Sequence, residues 1–175
     1  MLDRDPDIAA VAVSATTRRQ REREEDGREY YFWSDEEFDR KLGEDAFLEY
    51  VRLPWGEHRR SGTLWSEIER ITGEGRPVLL ELETGGALAV RDRIPGSVTI
   101  FITAPDRDAL EQRLRARGTE SEGEIEERIA QALEQSKLAG EFSYTIVNDD
   151  LVRAIDELEG IVRREIVTAG TMSGP

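Results

Sequence analysis

Short, largely apolar segments recur along the chain at Ile8–Val13, which is β-branched, Pro77–Leu82 and Val98–Ile102, and Phe142–Val147 reads as a further strand. Such runs, lacking strict alternation, suit strands buried on both faces, the pattern of a parallel sheet. Helical patterns separate the later ones. Gly86–Arg93 reads as a short helix, and Asp106–Arg117 carries Leu110 and Leu114 one turn apart. Ser121–Leu138 is long and charged, and Asp149–Val167 repeats apolar residues at Leu151, Ile155, Leu158 and Ile161. Strand–helix alternation predicts an α/β fold built on a parallel sheet with helices on both faces.

The first half differs. Glu29–Trp33 and Ala46–Val51 read as strands with little helix between them. Ser34-Asp35-Glu36-Glu37 forms a capping box opening a helix to about Leu42. Leu53–Gly62 is a loop or hairpin. Thr63 is expected to cap a helix running through Thr72, with Gly73 and Gly75 stopping it. These closely spaced strands predict a small antiparallel lobe carried on the α/β core. The tail, Thr168–Pro175, is small and polar and is expected to be loose.

The net charge of −14 and an isoelectric point near 4.6 oppose nucleic-acid binding, since phosphates would be repelled by most of the surface. There is no cysteine, which removes disulfides, thiolate nucleophiles and thiolate-held metals. No apolar run approaches the ~20 residues of a membrane span, and the first residues do not read as a signal peptide, so a cytoplasmic protein is expected. His58, the single histidine, falls in a loop.

Against this acidic background, Arg18, Arg19, Arg21 and Arg23 form a basic island just after the first apolar run. Guanidinium forks bind phosphate oxygens in pairs, so the island suits a small anionic ligand; a solvated, salt-bridged loop is the plain alternative. Ligands in open α/β sheets gather at the carboxyl ends of strands, where Ser14–Arg21, Glu81, Glu83 and Asn148-Asp149-Asp150 fall. Arg113, Arg117 and Arg128 flank the Gly118–Ser121 turn, an arrangement that suits a hinged lid over a phosphate or an ordinary helix surface.

The order of these pieces resembles the guanylate kinase family of P-loop nucleoside monophosphate kinases, from about Asp3 to Arg164. Ser14, Thr16, Thr17, Arg18, Arg21, Glu24, Gly27 and Tyr30 match its opening signature. Phe47-Leu48-Glu49, Arg117-Gly118-Thr119-Glu120-Ser121 and Val147-Asn148-Asp149-Asp150 match three further motifs in order. The resemblance implies phosphoryl transfer from ATP to GMP or dGMP, with Mg2+ arriving on ATP and no protein-built metal cage. It implies that Ser14 and Glu49 read the guanine edge and that Arg18, Arg21 and Tyr30 hold the GMP phosphate, with Ser61, Thr63 and Glu83 completing that site. It implies that Arg117 and Arg128 neutralise the transferring group and that Arg113 and Asn148 serve the ATP end. The kinase-like domain would span 1–167, with a GMP-binding lobe at 14–75 and a lid region at 113–138. A non-catalytic module of the same family, binding a phosphopeptide or protein partner, is the alternative.

Several positions depart from the family pattern. Gln20 stands for a proline and Arg23 for a glycine. Ser61 stands where a phosphate-binding tyrosine is expected, and Glu81 and Glu83 replace an acidic residue paired with aspartate. The sequence contains no Gly-Lys dipeptide and so no G-x-x-x-x-G-K-[ST] loop to cradle the ATP phosphates. Weak or no turnover is therefore expected of these residues alone.

Overall fold

A computed structural model describes residues 1–52, 59–117 and 122–172. The chain divides into two compact units, essentially Arg4–Arg93 and Ile94–Pro175.

In the first unit, β1 (Ala10–Val11) pairs in parallel with β6 (Val78–Leu79), Ala10 opposite Val78. The chain then leaves this ladder for a four-stranded sheet in the order β3-β2-β5-β4, formed by β2 (Ser14–Thr16), β3 (Tyr31–Phe32), β4 (Phe47–Arg52) and β5 (Arg60–Leu64). The lobe is thus mixed rather than antiparallel. β5 runs antiparallel to both neighbours, but the excursion after Thr16 returns so that Ala15 and Tyr31 pair in parallel.

Helix α1 (Asp35–Gly43) starts at the predicted box, with Glu37 N–H donating to Ser34 Oγ at 3.2 Å. Its Phe38 packs with Ala15, Phe47 and Leu64 on one face of the sheet. Helix α2 (Trp65–Gly73) begins after Leu64, which makes no side-chain cap. Thr63 does not cap it, because Thr63 is still a fully buried residue of β5. Ile71 and Ile68 of α2 pack against Ala10 and Ala12, fastening the helix to the β1–β6 ladder. Helix α3 (Thr84–Arg93) follows β6.

In the second unit, β7 (Ile100–Thr103) and β8 (Tyr144–Val147) form a parallel pair, with Ile102 opposite Ile146. Helices α4 (Arg107–Arg117) and α5 (Glu122–Ser136) pack through Leu114, Ile125 and Ile129. Helix α6 (Leu151–Met172) covers Ile146 through Ala154 and Ile161. The expected loose tail is helical as far as Met172; no proline interrupts the chain from Leu151 to that point. The expected single parallel sheet is two separate two-stranded ladders: among the described residues no strand hydrogen-bonds to both. None of the described helices is long and apolar enough to cross a membrane.

Candidate active site

The four-stranded sheet assembles the first group of predicted residues by register. Thr63 on β5 lies opposite Ser14 on β2 and opposite Glu49 on β4. Residues paired across strands share a face, so Ser14, Thr63 and Glu49 form one row. Ser61 and Thr16, also paired, lie two residues along on the same face.

A bulge makes this possible. The strand period of two would put Phe47 and Glu49 on one face. The pairing slips between them, so that Phe47 is opposite Leu64 while Glu49 is opposite Thr63. The extra residue turns Phe47 toward the aromatic core and leaves Glu49 with the polar row. Gly62 permits the close approach, because a Cβ there would lie 2.7 Å from the Glu49 carbonyl oxygen and from the Phe47 ring.

Glu49 is 5% exposed, and its Oε1 accepts from the Thr63 N–H at 2.9 Å. Burial pushes its carboxyl above the ordinary glutamate value, opposed in part by Thr63. The first turn of α3 closes in from the other side: a Cβ on Gly86 would come within 2.7 Å of Glu49 Oε2. Glu83, half-buried, immediately precedes this helix, and its carbonyl accepts from the Ala87 N–H.

The arginine island is ordered around one carboxylate. Arg18 forms a two-pronged ion pair with Glu24, at 2.7 and 2.9 Å. Glu24 also accepts from the Arg21 N–H at 2.8 Å. The Arg18 pair holds the Glu24 carboxyl below its ordinary value despite some desolvation. The Arg18 guanidinium lies 5.4 Å from the ring centres of both Tyr30 and Phe32, so rings and carboxylate fix it together. The Arg21 side chain is more exposed, at 54%. Ser61, in place of the expected tyrosine, donates to the Ala15 carbonyl at 3.1 Å.

The second group lies in the other unit. Arg113, on α4, donates to the backbone carbonyl of Asn148 at 2.6 Å, and the Asn148 N–H extends the β7–β8 ladder to the Thr103 carbonyl. Arg128 is half-buried on α5. Arg117 ends α4 with its side chain outside the described residues, as are His58 and Gly118–Ser121. Among the described residues, no three acidic or histidine side chains converge as a metal cage.

A sequence model of guanylate kinase matches residues 1–165. The chain belongs to the guanylate kinase family. A guanylate kinase of Symbiobacterium thermophilum is 42% identical over 154 residues, covering 88% of this chain and 72% of the relative. One from Synechocystis is 40% identical over 167 residues, covering 94% of this chain and 84% of the relative. The crystal structure of guanylate kinase from Anaplasma phagocytophilum superposes with a TM-score of 0.76 at 25% identity, over 93% of this chain and 79% of that one.

For a guanylate kinase fold, sequence reasoning named the row and the arginines but gave no role to Glu24, Gly86 or Glu67. Glu24 stood in the opening signature, and its spacing from Arg18 and Arg21 was the available signal. Gly86 and Glu67 matter through contacts that close only in three dimensions.

Proposed function

We propose that this chain carries the GMP site and the ATP-facing arginines of a guanylate kinase, whose reaction transfers the ATP γ-phosphoryl group to GMP or dGMP, giving ADP and the nucleoside diphosphate. One observation carries the reading: the Ser14–Thr63–Glu49 row lies on one small sheet, and Arg18, Arg21 and Tyr30 lie on the excursion that joins two of its strands, β2 and β3. In its ionised form Glu49 accepts from the guanine N–H and amino groups, whereas adenine offers it no matching pair of donors. Ser14 borders the base, with Thr63 and Glu83 beside it. Arg18, Arg21, Tyr30 and Ser61 hold the phosphate, which places its oxygen for in-line attack on the γ-phosphorus while the bond to ADP breaks.

Arg117 and Arg128 neutralise the charge of the transferring group, and Arg113 and Asn148 serve the ATP end. Mg2+ comes with the ATP phosphates and, when bound, neutralises charge on them; no protein cage is needed. No side chain need act as nucleophile, since phosphoryl transfer rests on positioning and electrostatics.

Calorimetry tests the substrate site. GMP should bind, AMP should bind far more weakly, and Arg18→Ala should weaken GMP binding at least 10-fold, on the order of one charged hydrogen-bond pair. Equal affinity for AMP would remove the role given to Glu49. Without a glycine–lysine phosphate cradle in these 175 residues, a coupled ADP-release assay on them alone should read near background.

A further inference from the structure

Glu67, on α2, is a charged residue with only 4% exposure, and the reading above gives it no part. Its carboxylate serves three partners. Oε2 accepts from the Val13 N–H at 3.0 Å, Oε1 accepts from the Tyr31 hydroxyl at 3.1 Å, and the Arg70 guanidinium spans both oxygens at 3.2 and 2.8 Å. The Arg70 contact is the main reason its carboxyl is held below the ordinary value, helped by Val13 and Tyr31.

The two neutral partners are informative. Val13 is where the chain passes from the β1–β6 ladder to the lobe sheet, and the next residue is Ser14. Tyr31 opens β3, opposite Ala15, and the preceding residue is Tyr30. One carboxylate therefore grips the backbone next to the residue at the base and the strand next to the residue at the phosphate. Its own helix is fixed to the ladder through Ile68 and Ile71.

We infer that Glu67 is a positioning residue for the GMP site, setting the span between Ser14 and the Arg18–Tyr30 cluster through the Val13 N–H and the Tyr31 hydroxyl. This rests on the substrate reading above. Glutamine there keeps one acceptor for the Val13 N–H but turns an amide NH2 toward the Arg70 Nε–H and the Tyr31 hydroxyl, so the Arg70 bridge is lost and Tyr31 must reverse from donor to acceptor, which shifts that end of the site. The loop between Ser14 and Tyr31 has its own internal ties at Glu24, but these fix its shape rather than its anchorage.

The test is GMP titration calorimetry on the full chain, with thermal midpoints measured alongside and titrations run well below them. Glu67→Gln keeps the volume and one acceptor oxygen, and should raise the GMP Kd ~5–10-fold. Tyr31→Phe removes one arm only and should raise it ~3-fold, which keeps the test open if the glutamine variant does not fold. A purely structural role would lower the midpoint and leave Kd of the folded protein unchanged. Kd values within twofold of the unsubstituted chain for the folded variants overturn the inference. If Arg18→Ala abolishes binding while both variants bind normally, this inference fails and the substrate reading stands. If the unsubstituted chain does not bind GMP, both fall.

Discussion

Gly86→Ala separates ligand recognition from folding more cleanly than any other single change in this site. The new Cβ would lie 2.7 Å from Glu49 Oε2, 3.3 Å from its carboxyl carbon and 3.7 Å from the Leu82 Cβ. Only the first is well inside van der Waals contact, which begins at 3.4 Å, so a displacement of about 0.7 Å at the carboxylate end relieves it. Glu49 Oε1 is tied to the Thr63 N–H, so the group must pivot about that bond and turn Oε2 out of the row. Hydrogen bonds to a charged group contribute roughly 1.5–3 kcal/mol each, and losing the alignment of one gives a ~10-fold or larger rise in GMP Kd. The fold should not suffer, because alanine is favoured over glycine in a helix by up to about 1 kcal/mol. The expected signature is a thermal midpoint held or raised, with weakened GMP binding and a smaller preference for GMP over AMP. Calorimetry with both nucleotides, beside a thermal melt, reads all three. GMP affinity within twofold of the unsubstituted chain would refute the placement of Glu49 at the base.

Glu49 also predicts a pH dependence. Burial raises its folded pKa, so ionisation costs stability, and that cost grows as pH rises through the folded value. Glu49→Gln should therefore raise the thermal midpoint at neutral pH while weakening GMP binding. In the unsubstituted chain GMP affinity should fall as pH drops through the raised value, since a protonated carboxyl loses acceptor capacity; a flat profile across the acidic range would contradict this. For Glu24→Gln, the Arg18 fork and the Arg21 N–H lose their shared anchor, and a ~3–10-fold rise in GMP Kd is expected from one charged contact. Gly62→Ala forces a Cβ against the Glu49 carbonyl and the Phe47 ring, a clash of backbone and core that should cost ~1–3 kcal/mol, read as a lowered midpoint in a thermal melt.

Local signals carried through wherever a short stretch decides its own structure. The Ser34 box, the helices beginning near Arg107 and Glu122, and the strands at Phe47 and Ile100 need only neighbouring residues to be legible, whereas Ser14–Thr16, expected to follow the first strand, forms a strand of its own through pairing with β3 and β5. Thr63 misled because a hydroxyl just before a helical pattern reads as a cap, whereas its place in β5 is fixed by pairing with β2 and β4. The parallel direction of Tyr31 beside Ala15 was equally hidden, since it depends on the path of the excursion between them.

What the sequence determined by itself is the inventory: an α/β chain of this family, with a carboxylate, hydroxyls and an arginine cluster in the order of the family's motifs. The tertiary structure decided how that inventory is aimed. The bulge between Phe47 and Glu49 sends one to the core and the other to the polar row, and no local preference specifies where a pairing slips. The Glu67 carboxylate finds Val13 and Tyr31 at separations of 54 and 36 residues, and a bond of that span exists only once helix, ladder and lobe have closed around it. The physical reason is range: capping and periodicity act within a turn or two, while register and buried ion pairs are set by chain closure.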